Sequence, residues 1–265
     1  MAREVSSISR VGTSEPFELQ VARGQIAYHY PQFKFGFNPD IDNSLETVWA
    51  QGGLYSYLSS ASVLTVSSSS TADTSAGTGA RTVQLYGLDT GYNEIDEIVT
   101  LNGQTAVNTT NSFLRINRMI VRSAGTGEQN AGVVYAGTGT VTSGVPVNKY
   151  ATIAVGDNQT LMALWTVPAG HTAYLHQTHV TAACTTSNKL LTVTVVARPD
   201  EEVFQVKDKF GIQVDGGDIH QYYHFPQKFS EKTDIEVRAI ADTGTANVEV
   251  SAGLDIVYIK NGGDI

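Results

Sequence analysis

From Val248 to Tyr258, apolar or small side chains take every second position: Val248, Val250, Ala252, Leu254, Ile256 and Tyr258. A period of two puts all six on one face of an extended chain, so the pattern predicts a half-buried strand over 247–259. The same reading yields a long series of short strands. In 81–86, Val83 and Leu85 oppose Thr82, Gln84 and Tyr86. Further candidates are 62–66, 97–101, 113–121, 133–135, 139–141, 152–155, 173–183, 189–198, 203–206, 219–225 and 234–241. The run 161–167 is apolar throughout and predicts a strand buried on both faces. Asn102-Gly103 carries the residue types of a type I′ hairpin turn, with 105–109 or 113–121 as the returning strand. Helical signals are confined to 45–58, where Ser44 stands as N-cap and Glu46 in the first turn, and Gly52-Gly53 cuts that helix to about two turns. Strands without intervening helices predict an all-β chain of two β-sandwich or jelly-roll-like modules, over 46–148 and 149–265.

Residues 1–45 read differently. Met1 to Gly12 is polar and aperiodic. Tyr28, Tyr30, Phe33, Phe35 and Phe37 then follow at strand-like spacing, broken by Pro31 and Pro39, which argue against a central sheet position. Two readings fit: an extended N-terminal arm that packs these five aromatics on a neighbour, or an edge strand of the chain's own domain. On the arm reading, a chain lacking residues 1–40 folds but no longer joins its assembly.

Composition changes the picture by exclusion. Charged residues make up 16% of the chain, against roughly 25% in ordinary soluble domains. The formal net charge is −9, and no lysine occurs between Lys34 and Lys149. The one basic cluster, Arg115, Arg118 and Arg122, reads as a solvated strand face, so nucleic acid is not an expected partner. The single cysteine, Cys184, excludes an internal disulfide framework and reads as a small apolar residue. No export signal and no apolar run near ~20 residues is apparent, which predicts synthesis in a cytoplasm and no membrane span.

Candidate chemistry is sparse. His176 and His179 differ by three and, in a regular strand, point to opposite faces; His220 and His224 share a face but stand about 13 Å apart. Neither pair predicts a metal site. Asp89, Glu94, Asp96 and Glu97 surround one turn and Asp215-Gly216-Gly217-Asp218 forms another, and both read as solvated carboxylates because neither has EF-hand spacing. No nucleophile elbow and no phosphate loop is present, so no catalytic residue and no cofactor is assigned. Tyr92, Trp165, Tyr222 and Tyr223 are candidates for stacking on sugar rings; being adjacent, Tyr222 and Tyr223 are expected to serve different faces.

Four stretches stand in a distinctive order: 46–55 (ETVWAQGGLY); 73–83 (DTSAGTGARTV) with 87–89 and 99–103; 113–118 (FLRINR); and 159–170 (QTLMALWTVPAG). Together they resemble a group of tailed-bacteriophage structural proteins found in marine and cyanobacterial phages, over roughly residues 45–260. The resemblance implies a virion component without catalytic residues: a head decoration, cement, neck or tail-associated part. Its partners would be other virion proteins, such as the capsid or the head–tail connector, and copies of itself, with a trimer expected from architectural analogy. A receptor-binding tail module presenting loops 67–80 and 124–132 to glycans is the second reading, and a glycan-active enzyme the third.

Overall fold

The computed structural model describes residues 15–184, 189–214, 217–242 and 248–262. Its elements in chain order are one short helix, α1 (Phe17–Ala22), and strands β1 (His29–Ile41), β2 (Glu46–Thr47), β3 (Ser62–Ser68), β4 (Ala80–Leu88), β5 (Glu94–Thr100), β6 (Val107–Phe113), β7 (Arg115–Ala124), β8 (Val134–Thr142), β9 (Val145–Ile153), β10 (Leu164–Thr166), β11 (His171–Ala183), β12 (Lys189–Arg198), β13 (Gln205–Val214), β14 (Asp218–Phe229), β15 (Asp234–Ala241) and β16 (Val248–Lys260). The expected all-β class is what the chain adopts, in four small antiparallel sheets. Sheet I has the order β1-β16-β11-β14. Sheet II is β10-β15-β12-β13 with β2 added on β15, sheet III is β6-β3-β8-β9, and sheet IV is β5-β4-β7.

The pairing in sheets I and II is nested. β12 pairs with β13, β11 with β14, β10 with β15 and β1 with β16, each antiparallel, and successive pairs alternate between the two sheets. The strand with the clearest alternation, β16, is hydrogen-bonded on both sides, by β1 and β11. Its even-numbered residues from Val248 to Ile256 join one buried cluster with Leu175 and Val180 of sheet I and Val193, Val195 and Val237 of sheet II. A central strand with one face in a core is the context in which register is most strictly specified, because a one-residue slip would turn every one of those side chains outward.

Sheets III and IV share a second core, built from Leu64, Val83, Leu85, Phe113, Met119, Val134 and Ile153 among others. The module boundary expected at 148/149 is therefore displaced: Tyr150, Ala151 and Ile153 belong to the N-terminal core, whereas Ile41 and Val48 belong to the C-terminal one. Residues 62–153 form an excursion from the other unit. The chain leaves and returns at adjacent points, where Trp49 bridges to Met162 and Ala163 N–H donates to Val48 C=O. Gly36 of β1 passes so close here that a Cβ would lie 2.2 Å from Ala163 N and from Val48 O.

Three further expectations are corrected. Residues 29–41 are not a detached arm but the edge strand of sheet I, in register with β16 from His29↔Ile259 to Asn38↔Val250. A chain lacking residues 1–40 thus lacks an integral strand. Residues 45–58 are not helical: Gly52 and Gly53 both take positive φ, and the aromatics are drawn to different partners, Trp49 Nε1–H to Gly53 C=O and Tyr55 O–H to Tyr150 C=O. Asn102-Gly103 is not a type I′ hairpin. Of the two, only Gly103 has positive φ, and the strands on either side go to different sheets, β5 to β4 and β6 to β3.

One charged cluster joins the two units. Arg115 of β7 donates from Nε to Asp234 Oδ1 (2.8 Å) and from Nη2 to Oδ2 (3.1 Å), across 119 residues of sequence. Arg198 Nη2 donates to the same Oδ2 (2.6 Å), and the Thr166 hydroxyl donates to Oδ1 (2.6 Å). The Tyr57 ring lies against both guanidiniums, with centroids 5.0 Å from Arg115 Cζ and 4.7 Å from Arg198 Cζ. Arg115 is thus buried and paired, not part of a solvated strand face. Removing one partner of a buried pair costs about 3–5 kcal/mol. Because Arg198 still neutralises Asp234, we expect Arg115→Ala to fall at the low end, about 3 kcal/mol, and Asp234→Ala, which leaves two guanidiniums facing each other, at about 5 kcal/mol. Denaturant unfolding monitored by tryptophan fluorescence measures both.

Candidate functional site

All six histidines lie on sheet I: His29 on β1, His171, His176 and His179 on β11, and His220 and His224 on β14. Between Leu175 and Gln177 the register of β11 shifts against both its neighbours. Core-facing positions are odd before the shift (Ala173, Leu175) and even after it (Val180, Ala182). The extra residue is His176, so His176 and His179 end on the same outer face, contrary to the expectation from regular spacing.

Across that face runs a row of near-parallel rings: Phe35 to Phe33 (5.5 Å), Phe33 to His179 (5.6 Å) and His179 to His220 (5.9 Å). Gly253, between β1 and β11, makes room for it; a Cβ there would lie 2.1 Å from His179 Cε1. The five N-terminal aromatics therefore divide. Phe33 and Phe35 belong to this outer row, and Phe37 borders a shallow depression with Thr181 and Asp218. Tyr30 packs with His171 and Tyr258. Tyr28 is exposed, at positive φ.

β14 bulges opposite His176. Leu175 pairs with Gln227 and Gln177 with Tyr222, so residues 223–226 face a single residue of β11. The two bulges and helix α1 border an open cavity of about 630 Å³. Its lining includes Phe33, Tyr222 and Tyr223, the carboxylates of Glu18 and Asp255, the imidazoles of His176 and His224, and the amides of Gln32 and Gln177. No lysine or arginine lines it. Tyr222 and Tyr223 both border this cavity, yet their side chains part as expected: the Tyr223 ring packs against the C-terminal core. Tyr223 is fixed by hydrogen bonds with Asp208 (2.9 Å) and Thr178 (3.3 Å), while Tyr222 is 69% exposed. Among the described residues, the side chains of Glu18, Asp255, His176 and His224 and the Tyr222 hydroxyl make no hydrogen bond within the chain. Burial lowers the His176 pKa below its ordinary 6.5, against the opposing pull of Glu18 and Asp255, which favours the neutral imidazole. The arrangement offers an aromatic face, carboxylate acceptors and imidazole nitrogens, with no lysine or arginine.

A second cleft, of about 430 Å³, lies between the two units and is lined by Lys34, Tyr86, Glu94, Asp96, Asn117, Arg118 and Trp165 among others. Lys34 is buried and its Nζ donates to the Asn117 carbonyl oxygen. Burial, reinforced by Arg118, pushes its pKa from 10.5 to about 7.

The other sequence candidates are engaged in structure. Asp89 accepts from Gly91 N–H and from the backbone and side chain of Asn93; Glu97 from Thr110 and Asn111 N–H; Asp96 from Gln84 Nε2. These carboxylates of the turn thus point at different donors. Of the second acidic turn, Asp215 and Gly216 lie outside the described residues. Trp165 is fully buried, and Tyr92 is buried with its hydroxyl on Asp200 (3.0 Å). Cys184 packs partly buried against the C-terminal core. The small-residue loops 67–80 and 124–132 are held by Asp73, fully buried, which accepts from the N–H groups of Ala80 (2.7 Å), Ala131 (2.8 Å) and Gly132 (2.9 Å) and from the Ser68 hydroxyl (2.6 Å).

No family model and no curated protein matches the chain. Among solved structures, one of the infectious bursal disease virus Gx strain is similar at 12% identity over 89% of this chain and 73% of that chain, with a TM-score of 0.27. The VP2 subviral particle of the same virus is similar at 10% identity over 90% and 74%, with a TM-score of 0.26. TM-scores of this size do not establish a shared fold, and nothing about this chain rests on them.

Two outcomes check this account. Asp73→Ala strands three backbone donors in the interior, and we expect a loss of about 3–5 kcal/mol in urea unfolding. For Lys34, the folded chain releases the proton near pH 7 while the unfolded chain keeps it to its ordinary 10.5, so the unfolded state binds more protons between those values. The stability that this group withholds below pH 7 is therefore recovered as pH rises through that window. We expect Lys34→Met to flatten the rise, measured as denaturation midpoints from pH 6 to 10.

Proposed function

We propose that this chain is a non-enzymatic structural component of a bacteriophage particle, a head decoration, cement or neck-associated protein working as a homo-oligomer, with a trimer as the expected state. The observation that carries the building-block reading is strand order. Numbering the eight principal strands of sheets I and II in chain order, without β2 and the excursion β3–β9, gives 1-8-3-6 and 2-7-4-5. That is one long hairpin rolled so that alternate pairs fall in alternate sheets, the jelly roll of paired Greek keys. Sheets III and IV around their common core read as a second sandwich, inserted between the first and second strands of the roll.

Fold alone does not assign function. Placement in a tailed-phage particle rests on the ordered stretches at 46–55, 73–103, 113–118 and 159–170, whose resemblance points to such parts. The exposed edge strand β1 and the aromatic row beside it supply a surface on which a neighbouring copy or virion protein can pack.

Cryo-EM of intact particles tests this reading. We expect density for the chain on the head or neck, in symmetric groups of three. Its absence from particles overturns the proposal, and density at the tail tip transfers the chain to the receptor-binding reading. Turnover of host polysaccharide by the purified chain would overturn the non-enzymatic part.

A further inference from the structure

We propose that the cavity between α1 and the paired bulges of sheet I binds a neutral sugar ring. This does not rest on the virion reading. The cavity, at about 630 Å³, is within the ordinary range for small-ligand sites. Its rim carries the exposed Tyr222 ring, which offers a flat apolar platform for the C–H face of a pyranose, beside Phe33, whose ring is held in the row with Phe35 and His179. Around it stand groups that make no hydrogen bond within the chain: the Glu18 and Asp255 carboxylates as acceptors for hydroxyls, and the His176 and His224 imidazoles. A ring of hydroxyls satisfies acceptors and donors together.

Charge narrows the class. With two carboxylates and no lysine or arginine in the lining, an anionic sugar would meet only repulsion. A small quaternary ammonium would suit the carboxylates and rings but would leave both imidazoles and the Gln32 and Gln177 carbonyl oxygens without donors or acceptors. A neutral hexose or N-acetylhexosamine fits all of them. Bulges in both flanking strands re-aim side chains without opening the rest of the sheet, which is their usual role beside a binding site.

The test uses the purified full-length chain on an array of neutral hexose and N-acetylhexosamine oligosaccharides with sialylated and sulfated counterparts, followed by titration calorimetry of the best neutral hit and of choline. Neutral glycans should bind in preference to anionic ones. Tyr222→Ala should weaken the neutral hit about tenfold or more, Tyr222→Phe should retain it, and Asp255→Asn should weaken it severalfold. Val147→Ala, at an exposed position of the inserted module, should leave it unchanged. Circular dichroism confirms that each variant is folded. Preference for anionic glycans, choline binding in place of sugar, no neutral glycan bound at millimolar concentration, or binding indifferent to Tyr222→Ala would each overturn the proposal.

Discussion

The carboxylate of Asp234 is 2% exposed and receives two guanidiniums and a hydroxyl. A buried charge of this kind persists only when its lone pairs are filled, and here they are, by groups from both structural units. Arg115 reaches it from β7 of the inserted module and Arg198 from β12. The arginines are held in turn: Arg115 Nη1 donates to the carbonyls of Leu58 and Leu114, and Tyr57 lies against both guanidinium groups. Tyr57 belongs to the connector that carries the chain into the insertion. The same contact therefore fixes the connector and joins the modules, which explains why 45–58 gives up its weak helical tendency for an irregular path.

The candidate binding cavity depends on a different device, wholly within sheet I. A regular strand would carry His176 and His179 to opposite faces. One extra residue in β11 and several in β14 break that rule, and the broken pairing is spanned by α1. The core does not suffer, because the apolar positions of β11 change phase at the same point. Beyond the bulge the pairs Gln177↔Asp255 and Thr178↔Leu254 resume on β16, so the site is fixed on both sides by regular ladder.

How much of this was legible in the sequence follows from the range of each interaction. Alternation is local, so β16, β12 and β4 were readable from their own residues. The switch in β11 from Ala173 and Leu175 to Val180 and Ala182 was also there to be read, as was Pro226 at the end of the 219–225 run, a residue that sheets accept at edges and bulges. Together they mark the cavity's two bulges. The Arg115–Asp234 pair was not readable, because nothing within a few residues of Arg115 distinguishes it from Arg118 or Arg122. Nor was the membership of β1: aromatics broken by proline describe an arm and an edge strand equally well, and only the pairing with β16, at the far end of the chain, decides between them. The sequence boundary at 148/149 failed for the same reason. It assumed that each unit is continuous, whereas the C-terminal core closes over residues from both ends.

That closure sets which parts of the molecule can move relative to one another. The insertion begins and ends at a backbone bridge, Trp49 to Met162, so its attachment point is as firm as a sheet position. Its orientation is set by side chains: the Asp234 cluster on one side and, on the other, Lys34 donating to the Asn117 carbonyl in the inter-module cleft. Lys34 occupies this place at the cost of its charge, as its lowered pKa records, so the cleft is the part of the structure where a change of pH reaches the contact between modules. The sheet I cavity shares no lining residue with the cleft except Gln32, and it takes no wall from the inserted module. A ligand there would meet a surface built by one sheet and one helix, and would bind without waiting on how the second module sits.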